Sequence, residues 1–518
     1  MIDGATPELI KLISRKSERL LEIAYKISSD ENKTSLKQSL LTHINAEASI
    51  LETLLENHGI HGNKRWHHLF SFIQAMKSFS KFGYILLQTN AYTSQHCSLE
   101  KVSESFQGNT AKLLEIYQEL MRNLCAKLVK TAMELPLSCK FSNISLDDLE
   151  DHILQERFEQ DLDGMENVDK DVYVVNLATA FLNLSGEYQN MRPPLMSNNE
   201  KVMKFLEETM SEERMRVFEL KAYNLRVLYN KHVNRPFGEP HDTELVHLSN
   251  YLSLVFHLIE LCLILIRYSS TRTFDLETNI STRFQPEKDI ILEQDYRWIL
   301  VSYVLYYINA FFTNGAEISR SILSHYVEVV EMEMPIPPYG GFHVRPSTLI
   351  AKIIGHYGSP VKMKLEDEVY DAAVPLDLFR ANERINRRKK NFVAEKAHEV
   401  IKSLPQNILM KNDGGICLDI FLQLQSEGTI DLYAPITENI LEKHTEDETL
   451  QEFVMKNIIK LMVEGKLNIP MDCSVTFEGD RRTLDDIMIL AQNGYGEDDR
   501  GNNIPLPKKL TYLQREWV

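Results

Sequence analysis

Residues 340–346 read Gly-Gly-Phe-His-Val-Arg-Pro and run on into Ser-Thr-Leu-Ile-Ala-Lys-Ile-Ile-Gly-His-Tyr. An imidazole and a guanidinium beside a glycine pair are the parts needed to take up and hold a phosphoryl group. Imidazole titrates near neutral pH and is a competent nucleophile when neutral. Pro346 suits the first turn of a helix, where its missing N–H is not needed. Leu349, Ile350, Ile353, Ile354 and Tyr357 then fall at helical spacing and predict a buried face. His343 and Arg345 therefore belong at a helix entrance, where unpaired backbone N–H groups and the positive end of the dipole attract an anion. A phosphoryl group on a ring nitrogen would be held there by charge-assisted hydrogen bonds from the guanidinium and the helix N–H groups. The glycine pair lets the ring reach the surface of a partner. His343 and Arg345 are the candidate catalytic pair, with Gly341, Val344, Pro346 and Ser347 as candidate phosphate-binding residues.

The flanking residues predict the elements that position this stretch. Val327, Val329, Val330, Met332 and Met334 contain the alternation of a half-buried strand ending at Pro335. The rest of this region mixes short strands and helices.

Gly341-Phe342-His343-Val344-Arg345-Pro346 resembles the Gly-[aliphatic]-His-Ala-Arg-Pro motif of HPr, the histidine-containing phosphocarrier protein of the sugar phosphotransferase system. The resemblance implies that His343 is phosphorylated by a donor similar to enzyme I and passes the phosphate to an acceptor protein. Arg345 would then clamp the phosphate and Pro346 start the helix. It also implies an open-faced sandwich of order β-α-β-β-α-β-α, in which Pro360 to Leu365 is the second strand, Glu366-Asp367 the hairpin turn, Val369 to Val374 the third strand and a helix starts near Pro375, with Leu376, Leu378 and Phe379 apolar. Phe342 for the usual aliphatic residue and Val344 for Ala are departures. The second helix is much longer than the family's, running through Arg387-Arg388-Lys389-Lys390 to about Leu404, and Val374 stands where some members carry a regulatory serine.

Two arrangements of the remainder are open. In a contiguous domain, Ile416 to Leu422 is the fourth strand and Leu450 to Met462 the last helix. Alternatively Val475 to Met488, which resembles the family's hairpin and second helix, means that the domain is split by an insertion or followed by an added hairpin or partial copy. In the split arrangement Asp486 takes the regulatory serine's place, a fixed negative charge where a phosphate can otherwise come and go.

The chain before residue 326 predicts helices. Leu9, Ile10, Ile13, Leu20, Leu21 and Ala24 form one apolar face, and Trp66 to Leu87 and Ala111 to Met133 read as further helices. Ser145 with Asp147 and Asp148 resembles a helix N-cap and its acidic first turn. Breaks are expected at Arg192-Pro193-Pro194, at residues 235–240 and through 269–288, with a long exposed helix over 199–232. The expected organisation is a helical bundle region over 1–140, a second helical region over 141–325 and the HPr-like domain, with its insertion or extension, over 326–518.

Bulk properties bound the function. The 518 residues are 43% hydrophobic and carry a formal net charge of −17, which argues against nucleic-acid binding because that needs basic surface. The six cysteines are scattered without ligand spacing, so neither a zinc site nor a disulfide framework is indicated. His58, His61, His67 and His68 lie near Glu52 and Glu56, but no Glu-x-x-His pairs recur, so these read as solvated histidines rather than metal ligands. Arg387 to Lys390 reads as a solvated helix face, and residues 494–503 resemble no phosphate-binding loop. The N-terminus has no signal-peptide pattern, so a cytoplasmic location is expected. Residues 251–267 and 298–312 are strongly apolar but read as buried core helices, since the first carries His257 and Glu260 and the second is short.

The fold class expected is α+β overall, a large mainly α-helical N-terminal region followed by the HPr-like domain. The function expected is a phosphohistidine carrier rather than a turnover enzyme, with no cofactor. A non-catalytic scaffold with a degenerate HPr-like domain is the alternative, and a membrane-associated regulator a third reading if 251–312 forms a hairpin in lipid.

Overall fold

The computed structural model describes residues 6–30, 35–60, 63–95, 102–138, 170–191, 210–233, 243–277, 291–404, 412–445, 447–471, 473–498 and 501–514. The cap at Ser145, the breaks at 192–194 and 235–240, residues 199–209 of the long helix, most of the polar segment 269–288, His61, Cys97 and Cys139 lie outside the described residues. Two compact units make up the chain, Met1–Ile322 and Leu323–Val518.

In its described residues the first unit is helical: α1 (Pro7–Ser29), α2 (Gln38–Asn57), α3 (Lys64–Gln95), α4 (Val102–Met133), α5 (Lys170–Met191), α6 (Glu212–Leu228), α7 (Thr243–Glu277), α8 (Glu293–Arg297) and α9 (Tyr306–Tyr326). The start of α1 follows from its sequence. Thr6 accepts the Leu9 N–H at 3.3 Å and Pro7 fills the first turn. Ile10, Ile13, Leu20, Leu21 and Ala24 are buried as the periodicity predicts. Helix α6 is not freely exposed on all sides, because Met215, Phe218, Ala222 and Leu225 are buried.

Of the two strongly apolar stretches, one lies in α7 and the other runs from the π-helical turn Trp298–Leu305 into α9. Among the described residues one stretch, Thr243–Ser269 with mean hydropathy 1.8, is long and apolar enough to cross a membrane, and 67% of its most apolar window is buried within the protein. Its mid-helix polar groups are engaged. His257 Nδ1 lies 3.3 Å from Glu260 Oε2, and Lys81 Nζ reaches Glu260 at 3.5 Å.

The second unit is built on a four-stranded antiparallel sheet, β1 (Val329–Pro335), β2 (Val361–Leu365), β3 (Glu368–Asp371) and β6 (Ser474–Asp480), in the order β1-β6-β2-β3. Met332 and Met363 both pair with Phe477, so one face of the sheet is apolar. That face packs with Leu349, Ile350, Ile353 and Ile354 of α10 (Val344–Tyr357) and Leu484, Ile487 and Leu490 of α14 (Arg481–Gln492). The other face carries Glu331, Lys364 and Glu478, with Lys364 Nζ 2.6 Å from both carboxylates. Alternation along each strand therefore sorts apolar side chains inward and charges outward.

Helix α11 (Pro375–Ser403) belongs to two cores. Leu378, Ala381 and Ile385 join the sheet core, whereas Val393, Ala397 and Val400 join a second one. The second core is completed by α12 (Asp413–Ser426), α13 (Leu450–Val463) and the two-stranded ribbon β4 (Asp431–Leu432) with β5 (Leu467–Asn468). Between the cores Lys389 is buried, which pushes its ammonium down from the usual lysine range. Arg388 and Arg384 of the basic run's neighbourhood pair with Glu366 in the β2–β3 turn, Arg388 at 3.0 Å.

The expected solvated face over Arg387–Lys390 fails at Lys389, which is buried, and three further expectations need correction. Ile416 to Leu422 is not a strand but lies in α12, where Asn412 caps the helix by accepting the Gly415 N–H at 3.0 Å. The sheet instead takes its remaining strand from Ser474–Asp480, so the contiguous arrangement fails. Val475 to Met488 is neither a hairpin nor a second helix: it is strand β6 leading into α14. Asp486 accordingly sits in the body of α14, buried, accepting the hydroxyls of Tyr357 and Tyr512 at 2.8 Å each, and not at a helix entrance.

Candidate functional site

Strand β1 ends at Pro335, and the chain turns through Gly340 (φ 62°) and Gly341 (φ 67°) before α10. These left-handed conformations suit glycine. Asn382 of α11 fixes the turn with both ends of its amide: Nδ2 donates to the Gly340 carbonyl at 2.9 Å, and Oδ1 accepts the Phe342 N–H at 3.0 Å. A Cβ on Gly341 would lie 2.0 Å from that Oδ1. Phe342 is fully buried, edge-on to Phe477 and Tyr495 with ring centroids 6.4 and 5.9 Å away. It anchors the loop in the core, which accounts for a large ring at this position.

His343 is the N-cap of α10, but its side chain makes no capping bond, so the ring is free to face outward. The ring is 32% exposed and edge-on to Tyr339 at 6.0 Å. Its Nε2 lies 2.8 Å from Glu497 Oε2, and the Glu497 side chain is only 6% exposed. A carboxylate only accepts, so the hydrogen of this bond sits on Nε2. Nδ1 has no hydrogen-bond partner among the described residues. Arg345 donates from Nε to the Gly496 carbonyl at 3.1 Å, and no carboxylate among the described residues pairs with its guanidinium.

The other expected residues divide. Val344 is 68% exposed and Pro346 is buried in the first turn. Ser347 faces inward: its hydroxyl donates to the Phe342 carbonyl at 3.1 Å and its N–H to the His343 carbonyl at 3.1 Å, so both donors are committed within the protein. At the entrance of α10 the N–H groups of Val344 and Arg345 precede the first bonded one, which leaves them for an anion.

No protein-family model, curated protein or solved structure matches this chain.

Three residues of the site lie outside the motif. Asn382, Tyr339 and Glu497 reach His343 or its turn from α11, from the preceding loop and from the C-terminal segment. Tyr339 is a near neighbour in sequence, but no local spacing marks Asn382 or Glu497, which lie 40 positions from Phe342 and 154 from His343. Residues 496 and 497 of the C-terminal segment thus supply a carbonyl to the guanidinium and a carboxylate to the imidazole. Tyr339 also lies 6.1 Å, ring to ring, from Tyr433, which follows β4. The second core of this unit therefore reaches the edge of the site.

Among the described residues no group of histidine, cysteine and carboxylate side chains is placed to hold a metal ion near Glu52. Glu52 accepts from Gln74 at 3.2 Å and pairs with Lys77 at 2.5 Å, while His58 Nδ1 lies 2.8 Å from its own helix at the Leu54 carbonyl. Cys125, Cys262 and Cys417 are buried, which pushes each thiol up to about 12 and keeps the thiolate scarce.

Proposed function

We propose that Leu323–Val518 is an HPr-like phosphocarrier unit in which His343 accepts a phosphoryl group from a donor similar to enzyme I and yields it to an acceptor protein. One observation carries the reading: an outward-facing imidazole at a helix entrance, with one nitrogen engaged and the other unengaged, beside a guanidinium that no carboxylate neutralises among the described residues. That combination provides a nucleophile with its lone pair available and a cationic cradle for the group it receives.

The architecture supports the same reading. With residues 404–473 set aside, the elements run β1-α10-β2-β3-α11-β6-α14, the β-α-β-β-α-β-α order that the motif's resemblance implies. The helices cover one face of the sheet and leave the other charged and open. On this reading 404–473 is an insertion carried on an extended second helix, and the first unit is a partner-binding or output module. The chain would be altered stoichiometrically and regenerated, without a small-molecule cofactor, in the cytoplasm.

A second reading, a scaffold whose HPr-like unit only binds, is favoured by Glu497. Its carboxylate places negative charge 2.8 Å from the ring that an anionic phosphoryl group must approach. The two readings separate on one experiment. The full-length chain is incubated with phosphoenolpyruvate and enzyme I, then assayed by intact mass and acid lability. One acid-labile phosphate, absent from His343→Ala, is expected. A folded wild-type chain that takes no label would remove the carrier reading and leave the scaffold.

A further inference from the structure

Glu497 is held beside His343 by a purpose-shaped segment rather than by chance of a mobile side chain. Tyr495, two residues before it, is fully buried at φ 57° and donates its hydroxyl to the Pro335 carbonyl at 2.7 Å. Gly496 follows at φ 82°, where an added Cβ would lie 3.1 Å from Leu349 and 3.2 Å from Leu506. Ile504 N–H donates to the Gly496 carbonyl at 3.0 Å, and Glu497 forms a β-bridge with Asn503. Three consecutive residues in left-handed conformation, Gly494 (φ 60°), Tyr495 and Gly496, the middle one a tyrosine, mark a backbone whose path is dictated by its surroundings. The path delivers the Gly496 carbonyl to Arg345 and the Glu497 carboxylate to His343 together.

A carboxylate this deeply covered must be hydrogen-bonded, and the Nε2–H of His343 is the bond it makes. Because the acid only accepts, the same hydrogen stays on Nε2 whether the ring is neutral or protonated. In the neutral ring the lone pair is then on Nδ1.

We propose that Glu497 is the positioning residue of His343: it keeps the hydrogen on Nε2, so that Nδ1 is the nitrogen that bonds to phosphorus and later releases it. The reaction half of this proposal rests on the phosphocarrier reading, whereas the tautomer half does not. In the accepting step the Nδ1 lone pair forms the new N–P bond while the N–P bond of a phosphohistidine donor breaks, its electron pair returning to the donor's imidazole. The His343 ring becomes a cation, and the Glu497 carboxylate lies against its Nε2–H. In the donating step an acceptor nucleophile attacks phosphorus, and the N–P electron pair returns to Nδ1. The ring then leaves as neutral imidazole, still carrying its Nε2 hydrogen. Without that hydrogen the leaving group would be imidazolate, a far poorer one. His343 gains and loses no proton in either direction.

The test uses the full-length chain labelled with [15N]histidine, with His343→Gln to assign its signals. Two-bond 1H–15N couplings report the tautomer, and phosphorylation and phosphate return are timed on the same protein. Wild type is expected to show the Nε2–H tautomer. Glu497→Ala should spread the ring over both tautomers and slow both steps by roughly tenfold, about the worth of one charge-assisted hydrogen bond. Glu497→Gln, which keeps an acceptor oxygen, should retain the tautomer and recover most of the rate. An Nδ1–H tautomer in wild type, an unchanged tautomer in Glu497→Ala, or faster labelling of Glu497→Ala would each overturn the proposal, the last by making Glu497 a lock. If wild type takes no label, the carrier reading has failed, and the tautomer comparison alone still decides what Glu497 does.

Discussion

Replacing Gly341 by Ala tests whether the turn before His343 is held as described. The backbone there has φ 67°, which costs a residue with a Cβ about 1–2 kcal/mol. The new methyl would also lie 2.0 Å from Asn382 Oδ1, so the amide must move. Moving it breaks bonds to the Gly340 carbonyl and the Phe342 N–H, worth about 0.5–1.5 kcal/mol each. The expected total is about 3 kcal/mol, of which about 2 kcal/mol comes from Asn382. Asn382→Ala alone should therefore cost about 2 kcal/mol, and the double variant no more than Gly341→Ala, a sub-additivity of about 2 kcal/mol. Hydrogen exchange followed by mass spectrometry on the full chain, read on peptides covering β2 and β6, isolates this unit. Protection should fall by roughly a hundredfold in Gly341→Ala, at 1.36 kcal/mol per tenfold. Simple additivity of the two substitutions would refute the clamp, and a loss smaller than about threefold would refute the strain argument as well.

Two further outcomes follow from local geometry. Gly83→Ala in α3 should destabilise the helical unit by about 1–3 kcal/mol although Ala is the better helix former, because its Cβ would meet the buried Tyr117 hydroxyl at 2.0 Å; thermal unfolding checks it, and a rise in Tm would sink the argument. His444 is raised above the ordinary imidazole value by its hydrogen bond to Asp413, with the Glu448 carbonyl on its other nitrogen. A raised folded-state value means that the stabilisation is complete below the unfolded value of about 6.5 and is lost as pH climbs through the folded one. Protection of residues 434–449, corrected for intrinsic exchange, should decline across that interval in wild type and not in His444→Gln.

Legibility in the sequence followed sequence distance. The alternation of β1, the helical face of α10 and the β2–β3 hairpin are local patterns, and each forms over nearly the residues that carry it. Ile416 to Leu422 misled because a short apolar run fits a buried helix turn as well as a strand, and the deciding cap, Asn412, lies just upstream. Val475 to Asp480 alternates cleanly, but nothing local says that its partners are Val329–Pro335 and Val361–Lys364, across a long intervening stretch. The site shows the same limit. His343 and Arg345 stand in one motif and could be read together. Asn382, Tyr433 and Glu497 arrive from separate elements, and only folding brings them there.

The position of β6 between β1 and β2 has a consequence for how the protein is made. A ribosome delivers the chain from its N-terminus, and β1, β2 and β3 emerge well before the strand that joins them. About a hundred residues separate Asp371 from Ser474, several seconds or more of synthesis at roughly 5–20 residues per second. Throughout that interval β1 and the β2–β3 hairpin have unpaired edges, the condition that invites wrong pairing. The residues that emerge meanwhile complete the second core, with α12, α13 and the ribbon in near sequence order. Early closure of that core would bring the ends of the stretch together and shorten the effective loop before β6 appears. The long excursion between α11 and β6 would then act during biogenesis as a brace that holds the place of the last strand.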